Sequence, residues 1–175
     1  MKVRPMDKSM NMKTPPKQII EDSKIEFYKA GCINGFYSNL FPSPFNDCQN
    51  KYWKTSEHYY QAHKFRDNHD NHDNHDIMEQ LRNIKKPRDV SFAGRNNNSQ
   101  IINTWDLEKD NIMRRALRYK FDQNNNLKQL LVESGDAEII EVTEFDKYWG
   151  NGGDNTGLNK LGKLLMELRE SYSKH

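Results

Sequence analysis

Glu57, Tyr60, Gln61 and Lys64 lie within the stretch Thr55-Ser56-Glu57-His58-Tyr59-Tyr60-Gln61-Ala62-His63-Lys64-Phe65, at spacings that gather them if the segment is helical. At about 100° per residue, Glu57, Gln61 and Lys64 fall within roughly 60° of one another, with Tyr60 beside them. One narrow face then presents a carboxylate, an amide, an amine and a phenol. A carboxylate can activate water or face a developing cation, and an amine can donate a proton or, partly desolvated, act as a nucleophile. The same pattern is also the ordinary solvated side of an amphipathic helix. Against that plain reading, Tyr59, Ala62 and His63 make only a modest core side, which leaves the alternative of a helix buried on both sides with its polar stripe lining a cavity. Glu57 and Lys64 are two turns apart, about 10 Å along the axis, so their side chains must converge to act on one group.

The local chemistry around this stretch supplies the helix. Tyr52-Trp53-Lys54 suits a strand, and Thr55 or Ser56 can accept from the first free amides. Glu57 suits the positive end of the helix dipole, and the helix is predicted to reach Phe65 or Arg66. Upstream, Ile25-Glu26-Phe27-Tyr28 alternates as a strand that Gly31 breaks. The run from Gly35 to Pro42 is dense in aromatics. Phe41 and Phe45 read as core, while Ser38 and Asn39 either orient a ligand or cap a turn. Asn46-Asp47 reads as a hairpin turn into the strand that ends at Trp53.

Downstream, Asp67 to Asp76 repeats His, Asp and Asn in triplets. The regularity, together with asparagine bias at 96–98 and 124–126, reads as a low-complexity surface loop rather than a metal site. Ile77 to Ile84 predicts a short helix with Met78 and Leu81 inward. Pro87 starts another, which Gly94 is expected to end, with Arg95 at its terminus either tying down carbonyls or binding a phosphate. Trp105, Ile112, Met113, Ala116, Leu117 and Phe121 give a long helical period, and Leu127, Leu130 and Leu131 another that Gly135 stops. Ala137 to Thr143 reads as a strand. The loop from Tyr148 to Gly162 is rich in glycine and leads into a helix whose buried face is Leu158, Leu161, Leu164, Leu165 and Leu168. It has neither the P-loop Lys-Ser/Thr nor the Rossmann spacing, and with Trp149 and Asp154 it reads as a pocket wall.

The chain has 175 residues, 34% of them hydrophobic, and a formal net charge of +2. That length supports one domain, and the mean hydropathy of -1.07 is low for all of it to be packed. Residues 1 to 24, basic and holding three prolines, read as a disordered tail, leaving a domain over 25–175. Near-neutral charge gives no general case for nucleic acid or membrane, and no apolar run approaches the ~20 residues that cross a bilayer. Cys32 and Cys48 read as reduced thiols of a soluble, cytoplasmic protein.

Gly35 to Asn39, Trp53 to Phe65, Gly94-Arg95, Trp105-Asp106, Met113 to Leu117 and Tyr148 to Gly162 occur in one order, and in that order the chain resembles the NADAR superfamily, in particular the YbiA-like N-glycosidases. The likeness covers about residues 25 to 172. It implies a single compact, mostly helical α+β domain with a few short strands and a small pocket. It implies hydrolysis of N-glycosidic bonds to ribose, with phosphoribosylamino-pyrimidine intermediates of riboflavin synthesis as the small-molecule substrate and no cofactor or metal. Other branches remove ADP-ribose from guanine in nucleic acid, and a non-catalytic ADP-ribose binding module is a further alternative. Carried over by position, Glu57 and Lys64 are the catalytic pair. Phe27, Tyr37, Asn39, Tyr60, Gln61, Arg95, Trp105, Trp149, Asn151 and Asp154 line the substrate. Some relatives carry aspartate where this chain has Asn151, and at 154 they carry Asp or His, so an acid role for that loop rests on Asp154.

Overall fold

The computed structural model of the chain describes residues 18–66 and 73–174. Its strands are β1 (Lys24–Phe27), β2 (Phe45–Asn46), β3 (Tyr52–Trp53) and β4 (Glu138–Glu141). Its helices are α1 (Ser56–Ala62), α2 (Asp73–Asn83), α3 (Pro87–Asn96), α4 (Trp105–Asp122), α5 (Asn125–Glu133) and α6 (Lys160–Ser173). This is the mostly helical α+β class that the sequence predicts. The residues fall into two compact units, one running from Pro42 to Gln123 and the other made of the chain up to Phe41 and from Asn124 onward.

In the Pro42–Gln123 unit, α1 is the central element, with α2, α3 and α4 each packed on it. Thr55 caps it, its Oγ1 accepting from the His58 amide at 3.3 Å. A 3-10 turn at His63–Phe65 prolongs it, so the helical stretch ends where the sequence predicts. All seven residues of α1 are buried. That is why α1 lacks an amphipathic pattern: none of its faces meets bulk water, and the solvated reading of its polar stripe is excluded. Tyr59 anchors an aromatic cluster, with Trp53 edge-on at 5.1 Å, Phe45 at 6.0 Å and His63 stacked at 3.8 Å. The β2–β3 hairpin is antiparallel, Phe45 opposite Trp53. The Asp47 carboxylate closes its turn by accepting from the Gln49 and Lys51 amides and from Trp53 Nε1, each at 2.9 Å.

The end of α2 is tied down by residues just before and inside α1. Lys54 Nζ donates to the Asn83 and Ile84 carbonyls at 2.9 and 2.7 Å. His58 Nε2 donates to the Ile84 carbonyl at 3.0 Å, which leaves Nδ1 to accept from Thr55 Oγ1 at 2.7 Å. Burial lowers the His58 pKa and keeps the ring in the neutral form this pattern requires.

Two boundaries in this unit differ from expectation. The low-complexity loop expected over 67–76 gives way to helix at Asp73, and Asn74 is buried there, its Nδ2 donating to the Gln100 carbonyl at 3.2 Å. Residues 67 to 72 lie outside the described residues. Gly94 does not end α3, which runs on to Asn96. A Cβ there would collide with the side-chain amide of Gln61, so glycine serves the close approach of α3 to α1.

In the other unit, β1 and β4 pair in parallel from Lys24 opposite Glu138 to Phe27 opposite Glu141, with α6 packed on β4 and α5 on α6. Ile25, Phe27 and Ile139 are fully buried, as is Leu161 of α6. Leu158, expected to open the α6 apolar face, is 48% exposed. The helix begins only at Lys160, after Asn159 in the left-handed region at φ 48°. Of the expected tail, residues 1 to 17 lie outside the described residues, but Gln18 to Lys24 are held in place. Asn34 exchanges hydrogen bonds with the Ile19 backbone at 2.8 and 2.9 Å, and Tyr37 donates to Gln18 Oε1 at 2.8 Å. The tail boundary at 24 therefore moves toward the N-terminus.

Candidate functional site

The Pro42–Gln123 unit brings together six of the residues singled out from sequence: Glu57, Tyr60, Gln61, Lys64, Arg95 and Trp105. Glu57, Gln61 and Lys64 are 8%, 7% and 9% exposed, which is unusual for an acid and an amine and needs a reason. Part of the reason is visible at Glu57. Its Oε1 accepts from Gln61 Nε2, one turn along α1, at 2.8 Å. It also accepts from Ser91 Oγ, which comes from α3, in a short hydrogen bond. Oε2 takes no hydrogen bond among the described residues. The Gln61 Oε1 is buried, and among the described residues it has no hydrogen-bond partner.

Lys64 lies at the turn that follows α1. Its carbonyl accepts from the Ile102 amide at 3.0 Å, and the Ile102 carbonyl accepts from the Trp105 amide at 3.0 Å. These two bonds bring the start of α4 to the end of α1 and set the Trp105 ring beside the amine. Lys64 Nζ is 5.7 Å from the centre of the Tyr60 ring and 5.8 Å from that of Trp105, and the two rings lie 4.9 Å apart, tilted at 59°. Burial lowers the Lys64 pKa from 10.5, the Glu57 charge opposes that shift, and the Arg95 charge adds to it. Acid, amine and guanidinium therefore share one electrostatic neighbourhood. Arg95 itself is exposed on α3. A held carboxylate, an amine biased toward its neutral form and two adjacent rings can stabilise a cation, move a proton and stack on a flat group.

The other six lie in the second unit. Phe27 and Tyr37 are fully buried with ring centres 5.8 Å apart, and burial pushes the Tyr37 hydroxyl pKa up. Both rings are core of that unit. Asn39 is buried, and its Oδ1 has no hydrogen-bond partner among the described residues. Trp149 is half-buried and edge-on to Tyr148 at 5.1 Å. Asn151 has its amide engaged inside its own loop. Oδ1 accepts from the Thr143 and Gly153 amides at 3.2 and 3.0 Å, and Nδ2 donates to Asn155 at 2.8 Å. Asp154 is exposed, accepts from Thr156 and pairs with Lys147 at 3.3 Å. These bonds hold its carboxyl pKa down at about 2, the Thr156 contacts first.

Ser91 escaped the sequence reading. The available signal was its position four residues before Arg95, which puts both on one face of the helix that Pro87 starts. Only the packing of α3 on α1 turns that position into a bond to Glu57.

An acid and an amine on a buried helix, flanked by aromatic rings within a mostly helical α+β fold, define the class. Residues 26–172 match the NADAR domain, and the chain belongs to that family. It is similar to the N-glycosidase YbiA of Shigella boydii serotype 4, 39% identical over 157 residues that cover 90% of this chain and 93% of the relative. It is also similar to the solved NMR structure of the E. coli protein YbiA, with a TM-score of 0.76 and 38% identity, covering 89% of this chain and 88% of that one. The chloroplastic riboflavin biosynthesis protein PYRR of Zea mays is 36% identical over 85% of this chain, which spans 25% of that longer protein.

Proposed function

We propose that the chain is a hydrolase of N-glycosyl bonds whose substrate is a phosphoribosylamino-pyrimidine intermediate of riboflavin synthesis, cleaved to a pyrimidine and ribose 5-phosphate in the cytoplasm. The observation that carries this reading is Glu57, a buried carboxylate held through one oxygen with the other open, beside an amine whose protonation burial disfavours. The relative named for N-glycosidase activity and the one named for riboflavin biosynthesis support the substrate class.

When the ribosyl C–N bond breaks, its electron pair leaves on nitrogen, and positive charge builds on the anomeric carbon and ring oxygen. Glu57 faces that charge and takes a proton from the attacking water, whose oxygen bonds to the anomeric carbon. The leaving nitrogen gains the proton that Lys64 in its charged form supplies. Lys64 in its neutral form has a second route: it attacks C1 of the ring-opened ribosylamine, the pyrimidine amine leaves with a proton to give a lysine imine, and water hydrolyses that imine to free the amine and ribose 5-phosphate. Trp105 stacks on the base, and Arg95 grips the phosphate through its planar donor fork.

The test is ribose 5-phosphate release from a phosphoribosylamino-pyrimidine by wild type and by folded Glu57→Gln and Lys64→Ala variants. Loss in both supports the assignment, and near wild-type rates in both remove it. A parallel assay on ADP-ribosylated guanine in DNA decides the substrate: release of ADP-ribose without pyrimidine cleavage replaces the proposed one, and tight ADP-ribose binding with no product replaces hydrolysis altogether.

A further inference from the structure

The Glu57 carboxylate receives both of its hydrogen bonds on one oxygen, and they come from different elements. Gln61 Nε2 reaches Oε1 from within α1 at 2.8 Å, and Ser91 Oγ reaches the same oxygen from α3. A carboxylate oxygen has two lone-pair sites, so these two donors fill Oε1, and Oε2 is left with its lone pairs free among the described residues. A donor one turn away on the same helix moves with the glutamate and limits it only in part. A donor from a second helix fixes the plane of the carboxylate against an independent frame. The two helices approach closely there, since a Cβ at Gly94 would strike the Gln61 side chain and displace the amide that bonds Glu57. Arg95 follows Ser91 by one turn on the same face of α3.

We infer that Ser91 is a positioning residue for the hydrolysis: its hydroxyl turns Glu57 so that Oε2, and not Oε1, meets the charge developing at the anomeric carbon. The inference rests on the reading of Glu57 given above. Ser91 touches no reacting atom, and its effect passes through the angle at which one oxygen is offered. Small misplacements of a reacting group cost large rate factors, so the hydroxyl should matter to turnover and little to substrate affinity.

The experiment compares Ser91→Ala and Ser91→Thr with wild type on the phosphoribosylamino-pyrimidine, reading kcat and KM separately. Alanine keeps the helix and removes the donor, whereas threonine keeps the donor. Ser91→Ala is expected to lower kcat about tenfold with KM within about twofold of wild type, and Ser91→Thr to recover most of the loss. In a Glu57→Gln background, Ser91→Ala should add almost nothing, because the residue acts through the carboxylate. An unchanged kcat in Ser91→Ala overturns the inference, as does an equal loss in both variants or a change confined to KM. Full activity in Glu57→Gln, or no turnover by wild type, brings down the reading of Glu57 and this inference with it, so the two failures are told apart.

Discussion

The polar stripe of α1 and the glycine-rich loop from Tyr148 to Asn159 looked alike in sequence, since each combines acids, amides and aromatics. Their hydrogen bonding separates them. On α1 the polar groups are buried and retain unused capacity: among the described residues, Oε2 of Glu57 takes no hydrogen bond and Oε1 of Gln61 has no partner. In the loop the polar groups work for the backbone. Asn151 bonds two amides and Asn155, and Asn159 bonds the Ile139 carbonyl at 2.9 Å and the Glu141 amide at 3.1 Å. Unsatisfied polar groups are costly to bury, so a fold keeps them only where something else is gained. Saturated ones need no such account.

If that contrast separates chemistry from scaffolding, substitutions in the two regions should fail in opposite ways. The largest effect is expected at Glu57. Replacing it by glutamine keeps the shape and should lower kcat by about 10³-fold, with the melting temperature within a few degrees of wild type. Asp154→Asn should do the reverse, leaving kcat within about threefold. A turnover assay paired with thermal melts reads both, and a dead Asp154 variant would break the comparison. Lys64→Ala comes next, at about 10²-fold in kcat. Because burial lowers the Lys64 pKa, a limb of the wild-type pH–rate profile below 10.5 should vanish in that variant. A limb falling with pH marks the charged amine as proton donor, and one rising with pH marks the neutral amine as nucleophile.

What could be read from the chain follows the range of the interactions involved. The Thr55 cap, the helical period that gathers Glu57, Gln61 and Lys64, and the β1 and β4 strands depend on near neighbours, and all were legible. Gly94 was legible as a special position but not for its reason, because a helix stop and a close approach of two helices look the same in one dimension. The start of α2 at Asp73 was hidden by repetitive composition. Ser91 and the saturation of Asn151 depend on which elements pack together. No local pattern of serine or asparagine reports that.

A smaller effect sharpens the loop side of the comparison. Asn159 combines a left-handed backbone at φ 48° with two side-chain bonds to the β4 segment. Asn159→Ala removes both bonds and strains the turn before α6, and should cost about 2 kcal/mol in denaturant unfolding. Activity per folded molecule should be retained. A large kcat defect in a stable Asn159→Ala protein would show that the loop does more than hold its own shape.

The smallest effect tests whether the fold lowers the pKa of a buried amine. Lys120 of α4 is fully buried, with Nζ 5.3 Å from the centre of the Phe121 ring, and desolvation brings its pKa from 10.5 down to about 7. The unfolded chain keeps the ordinary value, so between about pH 7 and 10 it binds more protons than the folded one. Stability should therefore rise with pH across that window. The cost of the buried charge is fully present below pH 7 and fades as the amine loses its proton. From pH 7 to 8 the gain should be about 1 kcal/mol, and urea unfolding of Lys120→Met should lack it. Tyr59 titrates above this window, its pKa pushed up to about 12 by burial, so the difference between the two proteins isolates Lys120. Equal slopes would mean that the folded protein keeps the Lys120 amine charged.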